Sequence, residues 1–405
     1  MSEHPLPARG APGPAPAHAS RGLVAIFGAT FCELVGVFML SPLLLLRLKD
    51  GGMSTATAGL FAATAWVGIF LMTPLASALT RRLGRRPTLW LSALVPVLTS
   101  LGFAFTQAPA VWFVLHLVAG MAGGLRWVLA EAIVAECSPG HQRGRNVGLF
   151  ETMVGATFVI GPALLAWVGA QSDTALWLAI GFMALGLGWS LLIPPLPDAH
   201  DAHDARVGLG GVWHALWAHP MVMAVGFIGG FFESGLTAML PLYGLALGLG
   251  ATAAALLVSA SGLGSALMML PAGELADRMA QHPRQRWGNA AQSRRRLMRA
   301  CAGLTLLATL VIPLVAGSPW LAVPVVFFWG GAGGCLYTLA MIDIGSREQG
   351  ITLVNSTAVL VMSYTLGGVL APALGAAALQ WSPTVGFPAL LLLVAGAGYA
   401  LLRRR

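Results

Sequence analysis

From residue 22 to residue 402 the chain alternates long apolar runs with short polar breaks, and the runs carry neither the strict two-residue alternation of strands nor the polar stripe of water-facing helices. Twelve runs emerge, at 22–46, 56–79, 88–106, 110–136, 146–169, 174–195, 220–246, 252–275, 298–317, 320–343, 351–379 and 384–402. Each is close to the roughly 20 residues that cross a bilayer as a helix. The pattern therefore predicts an all-α integral membrane protein of twelve transmembrane helices.

Composition agrees: 57% of the 405 residues are apolar and 9% are charged, outside the range of a water-soluble domain. The net charge of +8 raises the question of nucleic acid, and the positions of the basic residues answer it. Of the 23 Lys and Arg residues, 20 lie in the even-to-odd loops and the two termini; Arg47 and Lys49 lie opposite, and Arg126 is inside a span. By the positive-inside rule both termini face the cytoplasm. The partner implied is the lipid bilayer, with no nucleic acid.

Residues 1–21 lack the apolar core and cleavage site of a secretory signal and read as a disordered cytoplasmic tail; residues 403–405 are the cytoplasmic C-terminus. Cys32, Cys137, Cys301 and Cys335 have no ligand spacing, so neither a metal site nor a cofactor is expected.

Cutting between the sixth and seventh runs exposes a repeat. FCELVGVFML from 31 aligns with FFESGLTAML from 231, placing Glu33 over Glu233. The arginine segment from Ser77 falls on the segment from Gly273, so Arg81 matches Asp277. GMAGGLRWVLA from 120 matches GGAGGCLYTLA from 330, and GPAL from 161 matches APAL from 371. Two pseudo-symmetric six-helix bundles, 22–195 and 220–402, are expected, a duplication that many transporters use to build a midplane site. Residues 196–219, with DAHDAHDAR, read as a cytoplasmic linker; alternating Asp and His on a flexible loop make a poor metal cage. The loop 277–299 carries seven arginines and suits anionic headgroups or simple orientation.

These motifs resemble the major facilitator superfamily of twelve-helix transporters. Its loop after helix two, G-x-x-x-D-R-x-G-R-R, appears here as Ser77, Arg81, Arg82, Gly84, Arg85 and Arg86, with Ser for Gly and Arg for Asp. The second copy keeps Gly273, Asp277 and Arg278, and ECSPGHQR fits the family's E-x6-R element through Glu136 and Arg143. Within the family the chain looks most like a bacterial branch typified by YcaD, which implies an inner-membrane, multi-pass protein. The resemblance implies gating roles for these loop residues. It places Arg81 opposite the start of helix eleven, where Glu348 suggests a charge-swapped latch, and Asp277 opposite the start of helix five. The antiporter pattern of helix five is incomplete, since GPALLA lacks its glycine pair; Gly161, Pro162 and Pro372 remain as kink positions in helices five and eleven. Counting back from Gly120, His116 stands where the family's fourth helix carries arginine.

A charge at mid-membrane normally lines a watery cavity or has a partner. Glu33 and Glu233, matched by the repeat, are expected on opposite walls of a central cavity as coupling or substrate carboxyls. His116, Gly120, Gly123, Trp127 and Glu131 recur at intervals of three and four and share one helix face, which reads as a cavity wall. Arg126 points away from that face, toward a neighbouring helix. Glu151 and Asp343 fall nearer the cytoplasmic ends of helices five and ten and read as gate residues or as solvated. Glycine clusters, among them Gly123–Gly124 and Gly330–Gly331, suit helices that slide.

The reading is a monomeric secondary transporter that moves a small solute by alternating access, coupled to protons through Glu33, Glu233, Glu131 or His116, with export favoured by the excess of acid. An uncoupled facilitator and a non-transporting sensor or scaffold are the alternatives. No HExxH, GxSxG or paired-histidine motif suggests an enzyme.

Overall fold

Helix follows helix along the computed structural model, which describes residues 16–169, 172–195, 205–281, 289–315, 318–382 and 384–403; no strand occurs among them. The first bundle comprises α1 (Pro16–Asp50), α2 (Thr55–Met72), α3 (Ala76–Leu83), α4 (Arg85–Phe105), α5 (Pro109–Cys137), α6 (Arg143–Val168) and α7 (Asp173–Leu191). A 3-10 turn over Thr73–Leu75, built around Pro74, joins α2 to α3 as one crossing. After α8 (Gly208–Ala218) the second bundle comprises α9 (Pro220–Gly230), α10 (Leu236–Ala246), α11 (Ala251–Gln281), α12 (Ala290–Val315), α13 (Pro319–Gly345), α14 (Gly350–Trp381) and α15 (Gly386–Arg403). A π-helical turn over Phe231–Gly235 links α9 to α10.

Among the described residues eleven helices are each long and apolar enough to cross a membrane. The seventh crossing is the interrupted segment from Pro220 to Ala246, giving twelve in two pseudo-symmetric bundles of six. Large apolar side chains such as Phe105, Leu314 and Leu393 stay exposed on the outside, and exposed Trp167, Trp320 and Trp381 sit near helix ends. That is the arrangement of a lipid-facing belt with aromatic ends.

Pseudo-symmetry is visible in the packing. A Cβ on Gly120 of α5 would stand 2.2 Å from the Ala65 carbonyl of α2, and a Cβ on its repeat mate Gly330 of α13 would stand 2.3 Å from the Ser261 carbonyl of α11. The two bundles meet where α6 lies against α11 and where α3 and its preceding turn lie against α14.

Three boundaries differ from expectation. α1 begins at Pro16, so the last residues assigned to the tail are already helical. α12 begins at Ala290, which puts Arg294, Arg295, Arg296 and Arg299 on the helix rather than in the loop before it. The expected linker contains α8, which turns by 95° into α9 and so lies across the bundle axis. Its start is fixed by Ser77, whose hydroxyl accepts the Gly208 N–H at 2.8 Å, and by Asn355, whose side chain donates to the Arg206 carbonyl at 2.8 Å. Residues 1–15, the DAHDAHD stretch at 198–204, Arg284, Arg286, Arg404 and Arg405 lie outside the described residues.

Candidate functional site: a carboxyl cluster at the seam of the bundles

α5 brings Trp127 and Glu131 to the same face, one turn apart, and the Trp127 indole donates to Glu131. From the other bundle, Tyr337 of α13 donates its hydroxyl to both Glu131 oxygens at 2.6 and 2.7 Å. Tyr337 is the repeat mate of Trp127, so the two matching aromatics face one another over one carboxyl, ring centroids 6.3 Å apart. Tyr364 of α14 completes the group at 4.9 Å from Tyr337 and 5.8 Å from Trp127, and donates to Glu233 at 3.1 Å. Ser265 of α11 donates to the other Glu233 oxygen. Glu131 and Tyr337 are buried, whereas Trp127, Tyr364 and Glu233 are partly exposed, so the last three form the accessible side. A Cβ built on Gly123, one turn before Trp127 on this face, meets open space.

Glu151 joins this cluster, which corrects its expected place at a watery helix end. Eight residues beyond the start of α6 it is about 12 Å inside the helix, and α11 covers that stretch, with Met269 packed over Gly148. It is 6% exposed, its carboxyl lies within hydrogen-bonding reach of Glu131, and its Oε1 has no donor.

Glu33 does not face Glu233 across a cavity. It is buried within the first bundle and paired with Arg126 of α5 at 3.3 Å, and Arg126 also donates to Ser190 of α7 at 2.9 Å. Arg126 thus points away from the Trp127 face, toward α1 and α7. The repeat breaks at these acids for a physical reason. α1 is a regular helix through Glu33, whereas Glu233 sits in the π-helical turn, whose extra residue rotates it relative to α9.

His116 also leaves the expected wall. Its Nδ1 lies 3.0 Å from the Thr64 hydroxyl and 2.9 Å from the Phe61 carbonyl, and its ring stacks on Phe61 at 4.3 Å, so it meets α2. Fifteen residues separate it from Glu131, about 22 Å along α5. One helix face meets different neighbours at different depths.

The loop residues gather at the arginine-rich end, where hydrogen bonds join the two bundles. Asp277 of α11 accepts the N–H groups of Gly144 and Arg145, both at 2.8 Å, at the start of α6. This is a carboxylate on the positive end of a helix. Backbones touch beside it: a Cβ on Gly144 would lie 2.2 Å from the Gly273 carbonyl. At the matching place on the other side the expected Arg81–Glu348 pair is absent. Arg81 donates to the Ala205 carbonyl at 3.3 Å, and Glu348 pairs with His219, because the chain leading into and out of α8 fills the space between them. The acid at the start of α14 is Glu136, which accepts the Gly350 N–H at 3.3 Å and pairs with buried Arg85. Arg143 donates to the Ala135 carbonyl at 2.8 Å.

Other gate candidates stay within one bundle. Asp343 binds Arg294 and Arg347, each at 2.8 Å. Arg86 donates to Leu191 and covers Trp90, Arg278 pairs with Glu274, and Arg82 is exposed. Helices α6 and α14 run unbroken through Pro162 and Pro372, and Gly161 lets α6 approach Phe38 of α1.

Sequence reasoning missed Tyr337, Tyr364 and Ser265. The repeat carried a signal for the first, since it aligns Tyr337 with Trp127. Tyr364 and Ser265 are uncharged residues in apolar spans, and nothing marked them.

Comparison with known proteins fits this architecture. The model of the Major Facilitator Superfamily matches residues 26–352. An uncharacterized MFS-type transporter, YfkF of Bacillus subtilis, is 25% identical over 342 residues, 83% of each chain. The quinolone resistance protein NorA of Staphylococcus aureus is 23% identical over 134 residues, about a third of each chain. Among solved structures, the human organic anion transporter MFSD10 superposes with a TM-score of 0.75 at 17% identity, covering 95% of this chain and 99% of that one. The Escherichia coli fucose:proton symporter FucP gives 0.71 at 16% identity, covering 94% and 98%. Placement in the YcaD branch rests on the sequence resemblance alone. The chain belongs to the Major Facilitator Superfamily, a family of membrane transporters and not of enzymes.

Proposed function

We propose that this protein is a proton-coupled secondary transporter that moves a small solute by alternating access between its two bundles, 22–195 and 220–402. The observation that carries the reading is the Glu131–Glu151 carboxyl pair at the seam, bonded across it by Tyr337. Rocking the bundles apart at this level separates Tyr337 from Glu131. Protonation of the pair is thereby tied to which side is closed, and a solute held by Glu233 and Trp127 shares the same seam. Asp277 and Glu136 act as the latches of the arginine-rich end, which faces the cytoplasm by the positive-inside rule. In this arrangement both termini are cytoplasmic, the protein is a monomer in a bacterial inner membrane, and the latches hold an outward-facing state. Glu33 and Arg126 hold the first bundle together.

Export is the favoured direction. NorA, a quinolone resistance protein, is a partial relative, and FucP, a fucose:proton symporter, shares the fold. The test begins with untargeted metabolomics of cells with and without the protein, followed by flux of the candidate solutes in proteoliposomes. An imposed pH gradient should concentrate at least one of them. Equilibration without concentration would make the protein an uncoupled facilitator, and no flux of any solute would leave a sensor or scaffold.

A further inference from the structure

We propose that the solute is an organic cation, an amine or onium group attached to an apolar body, received by the floor that Trp127, Tyr337 and Tyr364 form between Glu233 and the Glu131–Glu151 pair. The inference rests on the transporter reading and deepens it by naming the class of solute.

Charge comes first. Three carboxyls converge here, and the arginine nearest in sequence, Arg126, is already committed to Glu33 and Ser190. His116 is about 22 Å away along α5. The Oε1 atom of Glu151, on a side chain 94% buried, has no donor. A desolvated carboxyl oxygen without a donor is costly to maintain, and the N–H of an ammonium ligand would satisfy it, while an onium without N–H would be held by charge and by the rings alone. An anion would meet three acids here, with Arg126 already paired.

Shape and chemistry narrow the choice further. A hard cation such as Ca2+ or Mg2+ takes about six or more oxygen ligands, whereas four of the oxygens here already accept from Trp127, Tyr337, Tyr364 and Ser265. No group of metal-ligating side chains occurs among the described residues. Packed aromatic rings instead offer negative π faces and apolar area, the surface that attracts an ammonium or phosphonium carrying hydrocarbon. Trp127 and Tyr364, the partly exposed rings, are the ones such a body can reach. MFSD10, the organic anion transporter of similar fold, shares only 17% identity, and the carboxyls at this seam predict the opposite preference here.

The experiment uses two ions of the same shape and opposite charge, radiolabelled tetraphenylphosphonium and radiolabelled tetraphenylborate, each offered in a separate sample to the full-length protein in nanodiscs at fixed pH and without a gradient, with empty nanodiscs as the blank. Tetraphenylphosphonium should bind saturably above the blank, and tetraphenylborate should not. Trp127→Leu and Glu233→Gln should each weaken binding about tenfold, a cation–π and charge-sized loss, while Tyr364→Phe, which keeps its ring, should weaken it less than Tyr364→Leu. Binding that ignores all these substitutions, or a site that prefers the borate, overturns the inference. If the variants fail to fold, the cation-over-anion preference of the unaltered protein still decides. Gradient-driven flux of another solute without phosphonium binding would sink this inference and leave the transporter reading intact. Site-dependent phosphonium binding with no flux of any solute would do the reverse.

Discussion

Tyr337 and Glu131 come from opposite bundles and share one bifurcated hydrogen bond, the single phenol hydrogen lying between both carboxyl oxygens at O–O distances of 2.6 and 2.7 Å in a buried setting. A hydrogen bond to a charged group contributes about 1.5–3 kcal/mol. Tyr337→Phe should therefore shift the conformational balance toward the form open at the arginine-rich end by about tenfold or more. Spin labels at exposed Arg82 and Gln292 in a cysteine-free background would read this as a gain in the longer-distance population.

Glu33 and Arg126 should behave as structural partners. Removing one member of a buried ion pair costs about 3–5 kcal/mol, whereas replacing both by apolar residues is often neutral. Glu33→Gln and Arg126→Met should each lower the thermal stability of the purified protein, and Glu33→Leu with Arg126→Met should recover most of it. Glu233→Gln, at the matching repeat position, should leave stability nearly unchanged.

The latch residues make a separate prediction. Asp277→Ala removes the acceptor of two N–H groups at the start of α6, a capping loss of about 0.5–2 kcal/mol. Glu136→Ala should act in the same direction at α14 and cost more, because it also leaves buried Arg85 without its acid. Both should lengthen the same spin-label distance. Arg81→Asp should not be rescued by Glu348→Arg, since the two residues have different partners.

Gly144 and Gly273 set how closely the arginine-rich end can shut. Cβ atoms there would lie 2.2 Å and 2.0 Å from the opposing carbonyls, and backbone cannot give way as a side chain can. Gly144→Ala and Gly273→Ala should each hold this end ajar and slow transport, with Val worse than Ala. Ser77, the repeat mate of Gly273, should tolerate Ala better, losing only its bond to Gly208.

Much of this was legible in the residues, for reasons that also explain what was not. Hydropathy reports exposure to lipid, so the twelve crossings followed from it directly, and the internal repeat divided them into two bundles. The intervals along α5 placed Trp127 and Glu131 on one face and turned Arg126 away. Asp277 was found because its loop is repeated. The Glu33–Arg126 pair was not found, since periodicity gives the direction of a side chain and not which neighbour lies there. Glu233 could not be told from Glu33 because a π-helical turn leaves no mark in an apolar run. Glu151 was misplaced by counting distance from the helix end while the cover supplied by α11 was invisible. Arg81 and Glu348 were paired by the family pattern and opposite charge, and neither signal reveals that the chain flanking α8 supplies each with another partner.

The most direct test of proton coupling at the seam offers a cell extract of small molecules to proteoliposomes under an imposed pH gradient and measures what accumulates by mass spectrometry. The unaltered protein should concentrate its solute. Glu131→Gln with Glu151→Gln should carry the same solute to equilibrium without concentrating it. Undiminished accumulation by the double variant would contradict the account.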